Sequence, residues 1–364
     1  MANKIISIAS SGGQYPVLPS RITEVTAQMY GKKEAQKMRF LARTEAIQQK
    51  FSVLPDFDES CDNPVLFNDF DHLPGTAARM QVFQKEALAL SEKVAKGAIQ
   101  KARLTSENIT HIITVTCTGA YAPGLDIELS NRLQLQNGIK RHAVNFMGCY
   151  AAFHALRLAD MICDTTEHAN VLIVCTELCT LHLRKDTSND NLLSTYLFSD
   201  GAAACIMTNN ETGTKKALEC QLFDSALVPK GHEDMGWYIG DDGFQMILSN
   251  KVPAHIKAHI GEVFHRAIDQ LGLSTNDIQH YAIHPGGKNI LDAFAEALDI
   301  PKEALAISYD ILSNYGNMSS ATTLFVLQKM LEQEKVQQSR KEWLYAAAFG
   351  PGITIENALF KLTH

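Results

Sequence analysis

Short apolar runs rich in β-branched residues alternate along this chain with longer stretches of helical periodicity. That alternation restricts the fold to an α/β arrangement with mixed or parallel sheets. The strand-like runs fall at residues 112–116, 171–175, 202–207, 281–283 and 343–348, several of them apolar enough for full burial. Residues 1–8 add a first buried strand. Helical periodicity fits residues 77–99, 151–161, 254–271, 289–298 and 321–334. No low-complexity linker interrupts the pattern, and the polar stretch 208–216 is the natural junction between halves spanning 1–213 and 214–364. No repeat is visible by identity, although both halves end in a similar run of small apolar residues.

With 364 residues, 46% hydrophobic and 20% charged, the chain can bury a large core. The apolar start is too short for a signal peptide and no run is long enough for a bilayer, so a soluble cytoplasmic protein is expected, without a membrane partner. A formal charge of −7 and scattered Lys and Arg argue against nucleic acid. The eight cysteines are expected to be reduced. None forms a Cys-x-x-Cys pair, so no metal site is expected. Most should be small core residues, and the question is which one reacts.

The segment Val144-Asn145-Phe146-Met147-Gly148-Cys149-Tyr150-Ala151-Ala152 reads as strand, tight turn at Gly148, then helix. Cys149 would sit at a helix N-terminus, where free N–H groups and the helix dipole favour a thiolate. The plainer alternative is a small residue packed at a strand–helix corner. In His280-Tyr281-Ala282-Ile283-His284-Pro285-Gly286-Gly287, an apolar strand ends on a His before a turn. In Ser313-Asn314-Tyr315-Gly316-Asn317-Met318-Ser319-Ser320-Ala321, an amide follows a glycine just before a helix, as a cap would. Alone, each has a structural explanation. Together, Cys149, His284 and Asn317 supply a nucleophile, a base or oxyanion donor, and an amide able to bind a carbonyl oxygen. The spacing 284 − 149 = 135 also fits a papain-like hydrolase, but the local signature of that class is absent.

Gly148-Cys149, His284-Pro285-Gly286-Gly287, Gly316-Asn317-Met318-Ser319-Ser320-Ala321 and Phe349-Gly350-Pro351-Gly352-Ile353-Thr354-Ile355-Glu356 resemble, in order and spacing, the signatures of the type III polyketide synthases, the chalcone synthase-like enzymes. The resemblance spans roughly residues 1 to 360. It implies the thiolase fold, two similar α/β halves in five α-β-α-β-α layers, and a homodimer. It also implies an acyltransferase that loads an acyl-CoA starter on Cys149 and extends it with malonyl-CoA, whose carbonyl His284 and Asn317 would hold. No metal or organic cofactor is implied, since the coenzyme A thioesters are substrates. Phe198 matches the gatekeeper between the coenzyme A tunnel and the reaction cavity. Cys117, Thr118, Cys179, His182, Trp237, Met246 and Ser319 match cavity positions, and Gly350, Pro351 and Gly352 form the signature loop. Ala348 and Ser199 stand where the family usually has glycine. Cys179 and His182 replace threonines of plant chalcone synthases, which speaks against chalcone formation itself, while Trp237 stands for a glycine and Met246 for a phenylalanine, which bears on the choice of starter. A single-condensation ketoacyl synthase and a non-catalytic acyl-CoA-binding relative are the alternatives.

Two further features are expectations of a weaker kind. His255 and His259 share a helix face, but no Glu follows the first and no third ligand is evident, so a solvated face is expected. The basic run Lys32, Lys33, Lys37, Arg39, Arg43 and Lys50 is expected to be a helix surface or a cradle for coenzyme A phosphates.

Overall fold

The computed structural model describes residues 2–58, 60–211, 216–333 and 342–363. Its strands are β1 (Lys4–Gly12), β2 (Tyr15–Val17), β3 (Lys50–Ser52), β4 (His111–Thr116), β5 (Lys140–Asn145), β6 (Asn170–Leu178), β7 (Asp200–Thr208), β8 (Ala217–Leu227), β9 (Met235–Gly240), β10 (Gly243–Leu248), β11 (Ile278–Ile283), β12 (Glu342–Gly350) and β13 (Thr354–Thr363). The α-helices are α1 (Pro19–Tyr30), α2 (Lys32–Thr44), α3 (Thr76–Lys101), α4 (Leu125–Arg132), α5 (Ala151–Thr165), α6 (Asn189–Leu197), α7 (Val252–Asp269), α8 (Lys288–Leu298), α9 (Ala306–Tyr315) and α10 (Ser320–Glu332).

Nine strands form one sheet in the order β11-β12-β13-β8-β1-β7-β6-β4-β5. Its two wings repeat one pattern. In the first, β4 is parallel to β6, which is antiparallel to β7, which is antiparallel to β1. In the second, β11 is parallel to β12, which is antiparallel to β13, which is antiparallel to β8. β5 extends the first wing alongside β4. The wings join where Lys4 and Ile5 pair with Glu219 and Leu218.

The repetition reaches down to local sequence. A long helix, α3 or α7, leads into a residue with positive φ, Arg103 at 57° or Gly272 at 64°. Next come Leu104-Thr105-Ser106-Glu107-Asn108-Ile109 in one wing and Leu273-Ser274-Thr275-Asn276-Asp277-Ile278 in the other. Each is a single 3-10 turn closed by a reciprocal capping box, Thr105 with Asn108 and Ser274 with Asp277, and each delivers the chain into a parallel strand. Thr for Ser and Asn for Asp conserve the hydrogen-bonding geometry while erasing the identity.

Successive side chains of a strand point to opposite faces, and here both faces are covered, which explains the continuous apolar runs. Leu172 and Val174 of β6 pack with Phe83, Leu90 and Val94 of α3 in one core. Ile173 and Cys175 join Leu156 and Ala159 of α5 and Leu324 of α10, together with Leu344 and Ala346 of β12, in a second. Tyr345 and Ala347 face Ile260 and Phe264 of α7 and Phe294 of α8 in a third. Helices, wing, central helices, wing and helices thus make the five layers of a thiolase-like fold.

The five predicted helical stretches and the predicted strands all form. Residue 334, the end of the last predicted helix, and 212–215 of the polar junction lie outside the described residues. In the basic run, Lys32, Lys33, Arg39 and Arg43 are exposed on α2. Lys50 breaks the expectation: it lies on β3 and is buried, so it cannot belong to a surface cradle. Among the described residues, no helix is long and apolar enough to cross a membrane. Ile5 is fully buried at the joint between the wings. Ile5→Ala is expected to cost about 2–5 kcal/mol of stability, read as a lower urea midpoint. An unchanged midpoint would mean that the joint is not under packing load.

Candidate active site

The carboxyl ends of the parallel strands converge on one region, which is where open α/β sheets place ligands. β4 runs into Cys117 and Thr118, β5 into Cys149, β6 into Cys179, and β11 into His284.

Between β5 and α5 the chain reverses through Phe146, at φ 60°, and Gly148, at φ 82°, and presents Cys149 just ahead of the helix. A Cβ on Gly148 would lie 2.5 Å from Cδ of Pro351. A Cβ on Gly350 would lie 2.5 Å from the ring of Tyr150. The Gly350-Pro351-Gly352 loop is therefore packed directly under the cysteine turn, and only glycine fits at both approaches. Pro351 also reaches the cavity wall, whereas Gly352, at φ 77°, serves the course of the loop.

His284 continues the parallel ladder past β11, its N–H donating to Ala347 O at 2.8 Å. Its ring is 1% exposed, and neither Nδ1 nor Nε2 has a hydrogen-bond partner. Asn317 follows Gly316 between α9 and α10. Its Oδ1 accepts from Ser319 N at 2.9 Å and its Nδ2 donates to Gly286 O at 3.2 Å. A backbone N–H can only donate and a carbonyl only accept, so the amide orientation is fixed and the second Nδ2 proton is not taken by a backbone partner. Ser319 holds φ 47°, a strained conformation for a residue with a side chain. Cys149, His284 and Asn317 line one cavity with Phe198, Gly286, Gly287 and Leu197, enclosing about 730 Å³ with its mouth included.

Burial dominates the electrostatics here. It pushes the Cys149 thiol up to about 12, against the lowering effect of hydrogen bonds with Ser319 and Asn317. It pulls His284 down to about 3. The helix-terminus effect expected from sequence, where it was joined with a basic partner, is thus opposed by removal of water from the sulfur. Burial therefore disfavours a lone charge on either group.

The remaining predicted positions divide into walls and props. Phe198 borders three spaces: the Cys149–His284–Asn317 cavity, a narrower one beside Cys149, and a third about 610 Å³ in extent toward α1 and α6. Cys179, Trp237 and Met246 separate the second space from the third. Trp237 is anchored by Nε1–H donation to Cys117 O at 2.6 Å and stands edge-on to His182 and Phe244. His182 is fully engaged, Nε2–H donating to Thr118 O at 2.8 Å and Nδ1 accepting from Phe244 N at 3.0 Å. Unlike His284, it has no free nitrogen for chemistry. His255 is likewise taken, with Nε2 3.0 Å from Asp234 Oδ2.

Sequence reasoning missed Glu177. This carboxylate on β6 is fully buried behind the wall and accepts from Cys117 N at 3.0 Å and Thr118 Oγ1 at 2.8 Å, with Thr116 and Ser320 hydroxyls also donating. Burial holds its pKa above the usual carboxylate range. Cys117 Sγ lies 3.2 Å from Ser319 Oγ, so this network ties the β4 loop to the start of α10. The signal was present as the one acid within an otherwise uncharged buried strand.

The comparisons agree with this geometry. Residues 20–211 match the N-terminal domain of chalcone and stilbene synthases and residues 219–363 match the C-terminal domain. The alpha-pyrone synthesis polyketide synthase-like protein of Mycobacterium tuberculosis is 32% identical over 302 residues, covering 81% of this chain and 76% of its own. Among solved structures, 1,3,6,8-tetrahydroxynaphthalene synthase of Streptomyces coelicolor superposes with a TM-score of 0.89 at 25% identity over 99% of both chains. A brown-algal enzyme, PKS-I of Ectocarpus siliculosus, gives 0.90 at 25% identity over 99% of this chain and 98% of its own. The chain belongs to the chalcone and stilbene synthase family and is a type III polyketide synthase, an acyltransferase of thiolase-like fold.

Since Trp237 stands between two spaces, Trp237→Gly should join them and move acyl preference toward bulkier groups. The shift should be graded, about 1–3 kcal/mol per methylene-sized change, and read as relative kcat/KM over acyl-CoA lengths and one aromatic acyl-CoA. An unchanged ranking in a folded variant would mean that the acyl group does not reach this wall.

Proposed function

We propose that this enzyme takes an acyl group from an acyl-CoA starter onto Cys149, extends it by decarboxylative condensation with malonyl-CoA, and releases a cyclised product of pyrone, resorcinol or phloroglucinol type. The observation that carries the reading is a buried imidazole with both nitrogens unpartnered, sharing one cavity with a thiol and an oriented amide. Proton transfer from Cys149 to His284 turns two neutral groups into an ion pair, in which each charge offsets the desolvation of the other. The thiolate attacks the starter carbonyl, and the departing coenzyme A sulfur takes the proton back.

Neutral His284 then has one N–H to donate, and Asn317 has the Nδ2 proton left free by Gly286. Together they hold the malonyl thioester oxygen. Loss of carbon dioxide leaves an enolate on that oxygen, which preorganised donors stabilise more than the ground-state carbonyl. Its carbon attacks the acyl thioester, a carbon–carbon bond forms, and the Cys149 thiolate leaves. Phe198 acts as the gate between the coenzyme A side and the growing chain. No organic cofactor takes part.

The name of the mycobacterial relative favours the pyrone mode of closure. A homodimer is the assembly that the resemblance implies. The two halves divide between β7 and β8, near residue 213, and the reaction takes place in the cytoplasm.

Labelled malonyl-CoA incubated with a panel of acyl-CoA starters should give products heavier than the starter by repeated two-carbon units. Products with one unit only would indicate a single-condensation enzyme instead. Asn317→Ala should lower malonyl-CoA decarboxylation by about 10²–10³ while starter loading is affected much less. Equal losses in both half-reactions would contradict the role given to the amide.

A further inference from the structure

Lys50 is one of the buried charges that the mechanism leaves unused. Its side chain comes up from β3 beneath the gate and the amide. Nζ donates to Phe198 O at 2.9 Å and to Thr195 O at 2.5 Å, the carbonyls at the C-terminal end of α6. A cation suits that end of a helix dipole. Phe198 in turn forms a parallel bridge with Asn317: Asn317 N donates to Leu197 O and Ser199 N donates to Asn317 O, both at 2.9 Å. The stem of the same lysine closes the other side. A Cβ on Gly316, at φ 69°, would sit 3.2 Å from Lys50 Cβ and 3.0 Å from Leu197 O. One side chain therefore binds Phe198, one partner of the bridge that carries the gate ring and the oxyanion amide, and lies beside Gly316, the residue just before the other.

We propose that Lys50 is a positioning residue of the condensation step: by binding the Phe198 and Thr195 carbonyls and packing against Gly316, it sets where the Asn317 amide and the Phe198 ring stand. The inference rests on the decarboxylative reading given above and deepens it. A hydrophobic side chain of equal length would fill the volume but leave two carbonyls at a helix end without their charged donor. The titratable groups facing the ammonium are Asp200 and Cys179. Asp200 is held by Val53 N, Thr180 N and Thr180 Oγ1, so it is not free to replace the carbonyls. Burial lowers the Lys50 pKa to about 8. As pH rises through that value the ammonium gives way to an amine, and its two bonds lose their charge assistance.

The test separates the two half-reactions in Lys50→Met and Lys50→Arg. Lys50→Met should lower kcat for malonyl-CoA decarboxylation by about tenfold, with KM and the rate of acyl transfer to Cys149 within about threefold of the parent. Lys50→Arg should recover most of the loss. In the parent enzyme, decarboxylation kcat should fall as pH rises through about 8. Lys50→Arg should lack that limb, a readout that stands even if Lys50→Met does not fold. A folded Lys50→Met with undiminished decarboxylation, equal losses in both half-reactions, or a parent without the alkaline limb would overturn the inference. If the parent itself does not decarboxylate malonyl-CoA, the functional reading fails and this inference with it; a working parent indifferent to Lys50 overturns the inference alone.

Discussion

Two residue pairings, Lys4 with Glu219 and Ile5 with Leu218, join the wings into one sheet. Because the wings share one strand pattern, joining them back to back brings β4, β5 and β6 of one and β11 of the other to the same region. The central helices α5 and α10 are then packed on both sides, and each starts at the site, α5 behind Cys149 and α10 behind Asn317 and Ser319. The rigidity of that middle layer is what allows strained turns to persist there. Phe146 and Ser319, both side-chain-bearing residues, hold positive φ in the turns that lead to Cys149 and into α10, and such strain survives only where the surroundings over-determine it.

Burial of the site has a double effect. It pushes the Cys149 thiol up and the His284 imidazole down, so that a lone charge on either is disfavoured. It also raises the value of every donor aimed at developing charge, since little water competes. The neighbouring polar groups divide accordingly. His182 in the wall and Glu177 behind it have their hydrogen bonds filled by fixed partners, whereas neither ring nitrogen of His284 has a protein partner.

Much of this was legible in the sequence. The strand–Gly148–Cys149–helix pattern is local, and its turn forms as the residues imply. The order of Cys149, His284 and Asn317 carried the resemblance, and the cavity brings the three together. The desolvation that opposes a thiolate was not legible, because helix position is local while desolvation depends on every layer packed around the sulfur. Lys50 was read with its charged neighbours because sequence shows proximity along the chain, not that β3 turns inward under α6. The internal repeat escaped because Thr105 with Asn108 and Ser274 with Asp277 preserve a hydrogen-bond geometry rather than letters.

The central claim is that Cys149, among eight cysteines, is the one that carries the acyl group. It is tested most directly by peptide mass spectrometry of the enzyme after acyl-CoA treatment without malonyl-CoA. The account predicts one acyl adduct, on the peptide containing Cys149, and its absence in Cys149→Ala. An adduct mainly on Cys117 or Cys179, or full activity in Cys149→Ala, would contradict it.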